Sequence, residues 1–197
     1  RYRTTYFNDD WLKQRGLDWT PERLRRAVRW LITEHLAEST LLKRASPQPP
    51  EDRLMTLVLT STDISEGQTL PMAQVHEKAG GGNRSPELAW SGAPEGTKAF
   101  AVTCYDPDAP TGSGWWHWTV FDLPADATGL PGGVGADGSG LPAGARQGRT
   151  DFGSAGYGGA APPPGDKPHR YIFTVHALSK TLGLDDQAGG AMVGFNI

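Results

Sequence analysis

The sequence contains one cysteine, Cys104, in 197 residues, which excludes an intrachain disulfide and any multi-cysteine metal site. Its neighbours Phe100, Val102 and Thr103 put the thiol in a strand, where a packed small hydrophobe is the expectation and a reactive thiol the alternative. No apolar run approaches the roughly 20 residues that span a bilayer. The opening Arg1-Tyr2-Arg3-Thr4-Thr5-Tyr6 does not lead into a secretory apolar segment, so a cytoplasmic protein without a membrane span is expected. Also missing is a glycine loop that runs into a helix, as phosphate-cradling loops do, because Gly112-Ser113-Gly114 runs into a strand pattern. Neither Ser113 nor Ser154 sits in a nucleophile elbow, although sequence alone leaves both open.

Charge of one sign is lacking as well. The net charge is -3, but residues 1–50 hold ten Lys or Arg against six Asp or Glu, and residues 51–197 hold nine against sixteen. A main domain near -7 is a poor nonspecific partner for phosphate backbones, so no nucleic-acid partner is expected.

Residues 1–50 read as a helical arm followed by a stiff connector. Thr20 is an N-cap, Pro21 and Glu22 suit the first turn, and Trp19 with Leu24 has hydrophobic-staple spacing. Leu24, Val28, Leu31 and His35 mark one face. A single short amphipathic helix is not stable alone, so it packs on the domain or on a partner, with a homo-oligomer formed through the arm as one outcome. Ser46-Pro47-Gln48-Pro49-Pro50 is the linker, and the main domain runs over 51–197.

Within that domain the candidate strands are Leu54–Thr60, Glu87–Trp90, Thr97–Tyr105, His117–Leu123 and Arg170–Leu178, rich in β-branched and aromatic residues. No crossover helices separate them, so the fold class is mainly β with antiparallel sheets. Leu184–Ala188 reads as the start of a short helix. Thirteen glycines and five prolines in residues 129–165 exclude an ordinary helix there and point to a mobile or functional loop.

Three segments carry chemistry. Asp106-Pro107-Asp108-Ala109-Pro110 puts two acids on a stiff bend at a strand end, one of them free to face a pocket and the other to brace the turn. Gly114-Trp115-Trp116-His117-Trp118 enters a strand in which alternation puts Trp116 and Trp118 on one face, and Trp115 and His117 on the other. Pro162-Pro163-Pro164-Gly165-Asp166-Lys167-Pro168-His169-Arg170-Tyr171 delivers His169 and Tyr171 to one face. Arg170 is left opposite, suited to an ion pair with Asp108 or another acid. An acid, two imidazoles and a phenol can bind an oxyanion or transfer protons. Asp106, His117 and His169 have the atoms for a metal, but their separations lack the short spacing of the zinc motifs; no metal or cofactor is expected.

Residues 54–197 resemble the bacterial branch of the phosphatidylethanolamine-binding protein family, also called Raf kinase inhibitor-like proteins. The resemblance rests on Asn83-Arg84-Ser85-Pro86-Glu87-Leu88-Ala89-Trp90, Gly92 through Lys98, Tyr105 through Trp118, Thr150-Asp151-Phe152-Gly153, and Gly158 through Leu178. It implies a Greek-key fold of antiparallel sheets with short peripheral helices. It also implies an anion pocket formed by Asp106, Asp108, Pro110, His117, His169 and Tyr171, with Pro162 and Pro163 at the rim. The N-terminal arm is an addition to that pattern, and the resemblance implies a further helix after Ala191–Ile197 that this sequence does not include. A helix over Trp19–Glu38 covering the surface that helix would cover is the matching expectation.

The leading functional expectation is a binding protein for a small anionic or phosphorylated ligand, with a regulatory role as one outcome. The second is an enzyme acting on an organic biosynthetic substrate by dehydration, conjugate addition or cyclisation. In it Asp106 or His117 takes a proton and His169 or Tyr171 donates one. The third is a protein-interaction regulator that uses the arm.

Overall fold

The computed structural model describes residues 57–197; the expected arm, the linker and the first part of the expected Leu54–Thr60 strand lie outside the described residues. Among the described residues, seven strands form two antiparallel sheets. β1 (Val58–Thr60), β2 (Leu88–Ser91) and β5 (Gly129–Leu130) make a three-stranded sheet in the order β1-β2-β5. β3 (Ala99–Asp106), β4 (Trp115–Pro124), β6 (Arg146–Gln147) and β7 (Ile172–Leu178) make a four-stranded sheet in the order β6-β4-β3-β7. Four of the expected strands are present with ends shifted by at most two residues, and the expected Leu54–Thr60 strand is present as Val58–Thr60.

The core follows from strand alternation. Phe100, Val102 and Cys104 of β3 point to one face and meet Trp118, Val120 and Leu123 of β4, with Leu88, Trp90 and Leu130 of the other sheet closing the layer. Ala99 and Ala101 point to the opposite face, where Phe121, Leu178, Ala188 and Val193 cover them. β3 is thus buried on both sides, which its near-continuous apolar sequence allows. Cys104 is fully buried. Burial, followed by the nearby charge of Asp106, pushes its thiol pKa well up, so it is a packed hydrophobe and not a nucleophile.

Strict alternation fails in β4. Cys104 pairs with Trp118 and Tyr105 with Trp116, so His117 is an extra residue in a β-bulge. Trp116 therefore stacks against Tyr105, with ring centroids 4.7 Å apart, while Trp118 lies in the inter-sheet core. The expectation that these two tryptophans share a face is overturned, because one inserted residue reverses every side chain beyond it. A second shift, between Phe100 and Val102, coincides with Asp122 at φ 56°. The Asp122 carboxylate accepts hydrogen bonds from the Leu182 and Gly183 amides, at 2.6 and 3.1 Å, and so ties the bulge to the segment after β7.

The helix expected over Leu184–Ala188 is instead a turn. Asp185 accepts from the Gln187 amide, and the Ala188 amide closes on the Asp185 carbonyl. The helix, α1, is Gly190–Asn196. Its glycines have a packing reason: a Cβ at Gly190 would lie 2.5 Å from Cβ of Trp116, and one at Gly194 would lie 3.2 Å from the same indole. The glycine-rich stretch 129–165 is pinned and not loose. It holds β5, β6 and buried Val134, Gln147, Thr150 and Tyr157. The Trp118 indole N–H donates to Gln147 at 2.7 Å, and the Tyr157 hydroxyl donates to the Gln74 carbonyl at 2.9 Å.

Candidate functional site

The site forms where β3 ends, β4 begins and β7 is approached. Pro107 stiffens the chain after Asp106, and Asp106 Oδ1 accepts from the Asp108 and Ala109 amides at 2.8 and 3.1 Å. Asp106 Oδ2 lies 2.7 Å from His169 Nδ1 and 3.9 Å from His117 Nε2. A carboxylate can only accept, so His169 donates to it through Nδ1–H. Asp106 thus holds three donors at once and serves as the anchor of the cluster.

Asp108 turns the other way. Its carboxylate takes Arg170 Nε and Nη2 at 2.8 Å each and the Arg170 backbone amide at 2.9 Å. The side-chain and then the backbone hydrogen bonds from Arg170 hold the Asp108 pKa well below the usual carboxylate range. One acid faces the two histidines and the other braces the strand, the division of labour that the Asp106-Pro107-Asp108 spacing allows.

His117 is placed by the bulge. Its Nδ1 lies 2.7 Å from the Gly158 carbonyl, which can only accept, so the proton of the neutral ring sits on Nδ1 and Nε2 carries the free lone pair. Burial lowers the His117 pKa and outweighs the opposing pull of the Gly158 carbonyl and Asp106. For His169, burial also works downward, but the hydrogen bond and charge of Asp106, followed by those of Asp166, outweigh it and raise the pKa. The two imidazoles on either side of one carboxylate are driven apart: His117 toward neutral, His169 toward cationic.

This separation predicts opposite titrations. By NMR, His169 should titrate above the ordinary value of 6.5 and His117 below it. Through linkage, the stability contributed by His169 is fully present below its unfolded pKa and is lost as pH rises through its folded value. For His117 the unfolded chain takes the proton more readily, so stability is lost as pH falls below the ordinary imidazole range. The stability gap between the wild type and His169→Gln should therefore shrink on raising the pH. A gap that widens would contradict the Asp106–His169 pairing.

Tyr171 lies edge-on to His117, with centroids 5.0 Å apart. Its hydroxyl is buried without a hydrogen bond of ordinary geometry. Burial, followed by the charge of Asp106, pushes its pKa up, and the nearby Ala161 amide opposes this only weakly. Asp106, His117, His169 and Tyr171 are therefore brought together. Pro110, Pro162 and Pro163 are exposed loop residues; Pro163 contributes through its carbonyl, which accepts from the Asp166 amide. The cluster is closed, with side-chain exposures of 3% for Asp106, 4% for His117 and 5% for His169. Two open surface cavities, of about 480 and 390 Å³, lie elsewhere, one lined by Asp122, Arg146 and Asp185 and the other by Asn83, Arg84 and Tyr157.

Four contributors were missed in the sequence. Phe152 walls the site, with its ring 5.4 Å from those of both Trp115 and His117 and 4.9 Å from that of His76. Its loop is pinned by Asp151, whose carboxylate accepts from the Trp116 amide at 2.7 Å. Gly158 supplies the carbonyl that sets the His117 tautomer. Asp166 reaches His169 Nε2 at 3.4 Å. Asp151 and Phe152 stood in the sequence only within the Thr150–Gly153 segment that carries the resemblance, Asp166 only within the approach to His169, and a carbonyl contact such as that of Gly158 leaves no side-chain signal.

Comparison with known proteins agrees with this architecture. The chain is 57% identical over 141 residues to UPF0098 protein YbcL of Escherichia coli, covering 70% of this chain and 77% of that protein. It is also 57% identical over 142 residues to E. coli UPF0098 protein YbhB, covering 71% and 89%. The crystal structure of E. coli YbcL, called there a new member of the mammalian PEBP family, matches with a TM-score of 0.69 over 71% of this chain and 87% of that one. A separate local match joins 47 residues, 24% of this chain, to 15% of a probable DNA-invertase of Sinorhizobium fredii at 62% identity; so small a share of that protein carries no fold or activity across. The sequence model for phosphatidylethanolamine-binding protein matches residues 60–197, a span that includes all of Asp106, His117, His169 and Tyr171, and the chain belongs to that family.

Proposed function

We propose that this domain binds a small anion or a phosphorylated head group at the Asp106, His117, His169 and Tyr171 cluster. The observation that carries the reading is the 2.7 Å Asp106–His169 pair. A fixed carboxylate behind an imidazole keeps the ring protonated and aims its second N–H away from the acid, as an anion-binding donor requires. The unpartnered Tyr171 hydroxyl adds a second donor that a ligand oxygen would satisfy.

Titration with inorganic phosphate or O-phosphoethanolamine, followed by calorimetry or amide shifts, should show weak saturable binding, with a Kd on the order of 1 mM. His169→Gln should abolish it while the domain stays folded. Wild type that binds neither probe, or a His169→Gln variant that binds as well as wild type, would remove the proposal.

One observation favours the second reading, acid-base catalysis on an organic substrate. The Gly158 carbonyl leaves Nε2 of a neutral His117 free to take a proton, which a general base needs near neutral pH. Asp106 is less free for that task, because three of its roughly four acceptor sites already hold the Asp108 amide, the Ala109 amide and His169. In this reading His117 is the base and His169 the acid. A regulator working through the arm would rest on residues 1–50, outside the described residues.

A further inference from the structure

Building on that anion-binding reading, we propose that Asp166 is a built-in carboxylate competitor. It occupies His169 Nε2 in the free protein and has to be displaced when an anion binds. Among the described residues, the other strong donors of the cluster are committed, the neutral Tyr171 hydroxyl excepted. His117 Nδ1–H goes to the Gly158 carbonyl, the Asp108 and Ala109 amides go to Asp106, and the Arg170 guanidinium goes to Asp108. The cationic N–H left to recognise an anion is His169 Nε2–H, and Asp166 already faces it. Any anion using that donor meets this carboxylate first.

The two acids on His169 are held very differently, which decides which one yields. Asp106 is 3% exposed and anchored by two backbone amides at 2.8 and 3.1 Å. Asp166 is 37% exposed, and beyond this ion-pair contact nothing among the described residues holds its carboxylate. Its 3.4 Å approach is long for a charge-assisted hydrogen bond, normally about 2.7–2.9 Å. It sits on a short turn closed by its own amide on the Pro163 carbonyl at 3.1 Å, with Gly165 at φ 91°. Such a partly exposed pair is weak and exchanges readily, so the turn can swing the carboxylate off His169 without disturbing Asp106. The contact therefore weakens anion affinity and excludes anions too small or too weakly charged to displace a carboxylate.

Inorganic phosphate binding to the 197-residue chain at one fixed pH and ionic strength tests this. Asp166→Asn and Asp166→Ala should each bind phosphate about five- to tenfold more tightly than wild type. Glu95→Gln should bind as wild type does: it removes one negative charge from an exposed loop at the far end of β3, roughly 23 Å away at about 3.3 Å per residue. Adding His169→Gln to Asp166→Asn should abolish the gain. Equal affinity in wild type and both Asp166 variants, with binding still lost in His169→Gln, overturns the competitor role and leaves the anion site standing. A gain matched by Glu95→Gln overturns it too, as a bulk charge effect. Phosphate binding by none of the proteins, Asp166 variants included, overturns both the competitor and the site.

Discussion

Asp106→Ala should lower the unfolding midpoint by about 10 °C, the larger of the effects expected at the site. Asp106 is 3% exposed and satisfies the Asp108 amide, the Ala109 amide and His169 Nδ1–H. Alanine strands all three. Breaking a buried charge pair by deleting one partner costs about 3–5 kcal/mol, and a domain of this size loses roughly 3 °C per kcal/mol. Asp106→Asn should lose markedly less, because the amide oxygen still accepts from both backbone donors and only the bond to His169 is forfeited. The same Asn variant should bring the His169 titration down toward 6.5. Melting curves of the three proteins, with the histidine titration alongside, check both halves. An Asp106→Ala protein that melts with wild type would mean that this carboxylate does not organise the strand ends.

Gly159→Ala should be comparably damaging for a different reason. A Cβ there would stand 2.5 Å from the His76 amide nitrogen, 2.6 Å from the Gln74 carbonyl oxygen and 2.7 Å from the Val75 carbonyl carbon. These are backbone atoms, which cannot rotate aside, so the strand-like contact between residues 74–76 and 158–160 must open. That contact includes the His76 amide donating to the Ala160 carbonyl at 2.9 Å and the Gly159 amide donating to Asn83 at 2.7 Å. Overpacking of this kind costs about 3 kcal/mol, again near 10 °C. It also shifts the neighbouring Gly158 carbonyl away from His117, so the His117 pKa should change along with the melt. Gly96→Ala is the control: its φ is 84° with nothing within 4 Å, so only backbone strain, about 1–2 kcal/mol, is expected. Equal melts for Gly159→Ala and Gly96→Ala would show that the loop gives way where the backbone contacts say it cannot.

Much of this was legible from residue type and spacing. The β-branched and aromatic run over Thr97–Tyr105 located β3, and the alternation of Phe173, Val175 and Ala177 with Thr174 and His176 located β7, because both signals are local properties of an extended chain. The prolines of Asp106-Pro107-Asp108-Ala109-Pro110 located a rigid bend at a strand end, since proline constrains both itself and its predecessor. The acids divided as expected, Asp108 taking Arg170. The bulge at His117 was not legible, since it is a mismatch between two strands and neither strand encodes it alone. Nor was the α1 helix: Gly190 and Gly194 oppose helix formation locally, and only the Trp116 indole lying against them makes small residues necessary.

The sequence by itself determined the class of fold, the places of five strands along the chain and the identity of the polar groups available to a site, because these depend on short-range periodicity and side-chain chemistry. The sheet order and the short strands β5 and β6 came only from the tertiary structure. Nor could the sequence determine protonation or partnership. That His117 is neutral with its proton on Nδ1, that His169 is driven toward the cationic form, and that Asp166 stands on its outer nitrogen follow from residues 3 to 63 positions apart brought within hydrogen-bonding range. Desolvation and pairing act over a few ångströms of space. Only the packing of β3, β4 and the approach to β7 decided which atoms share that space.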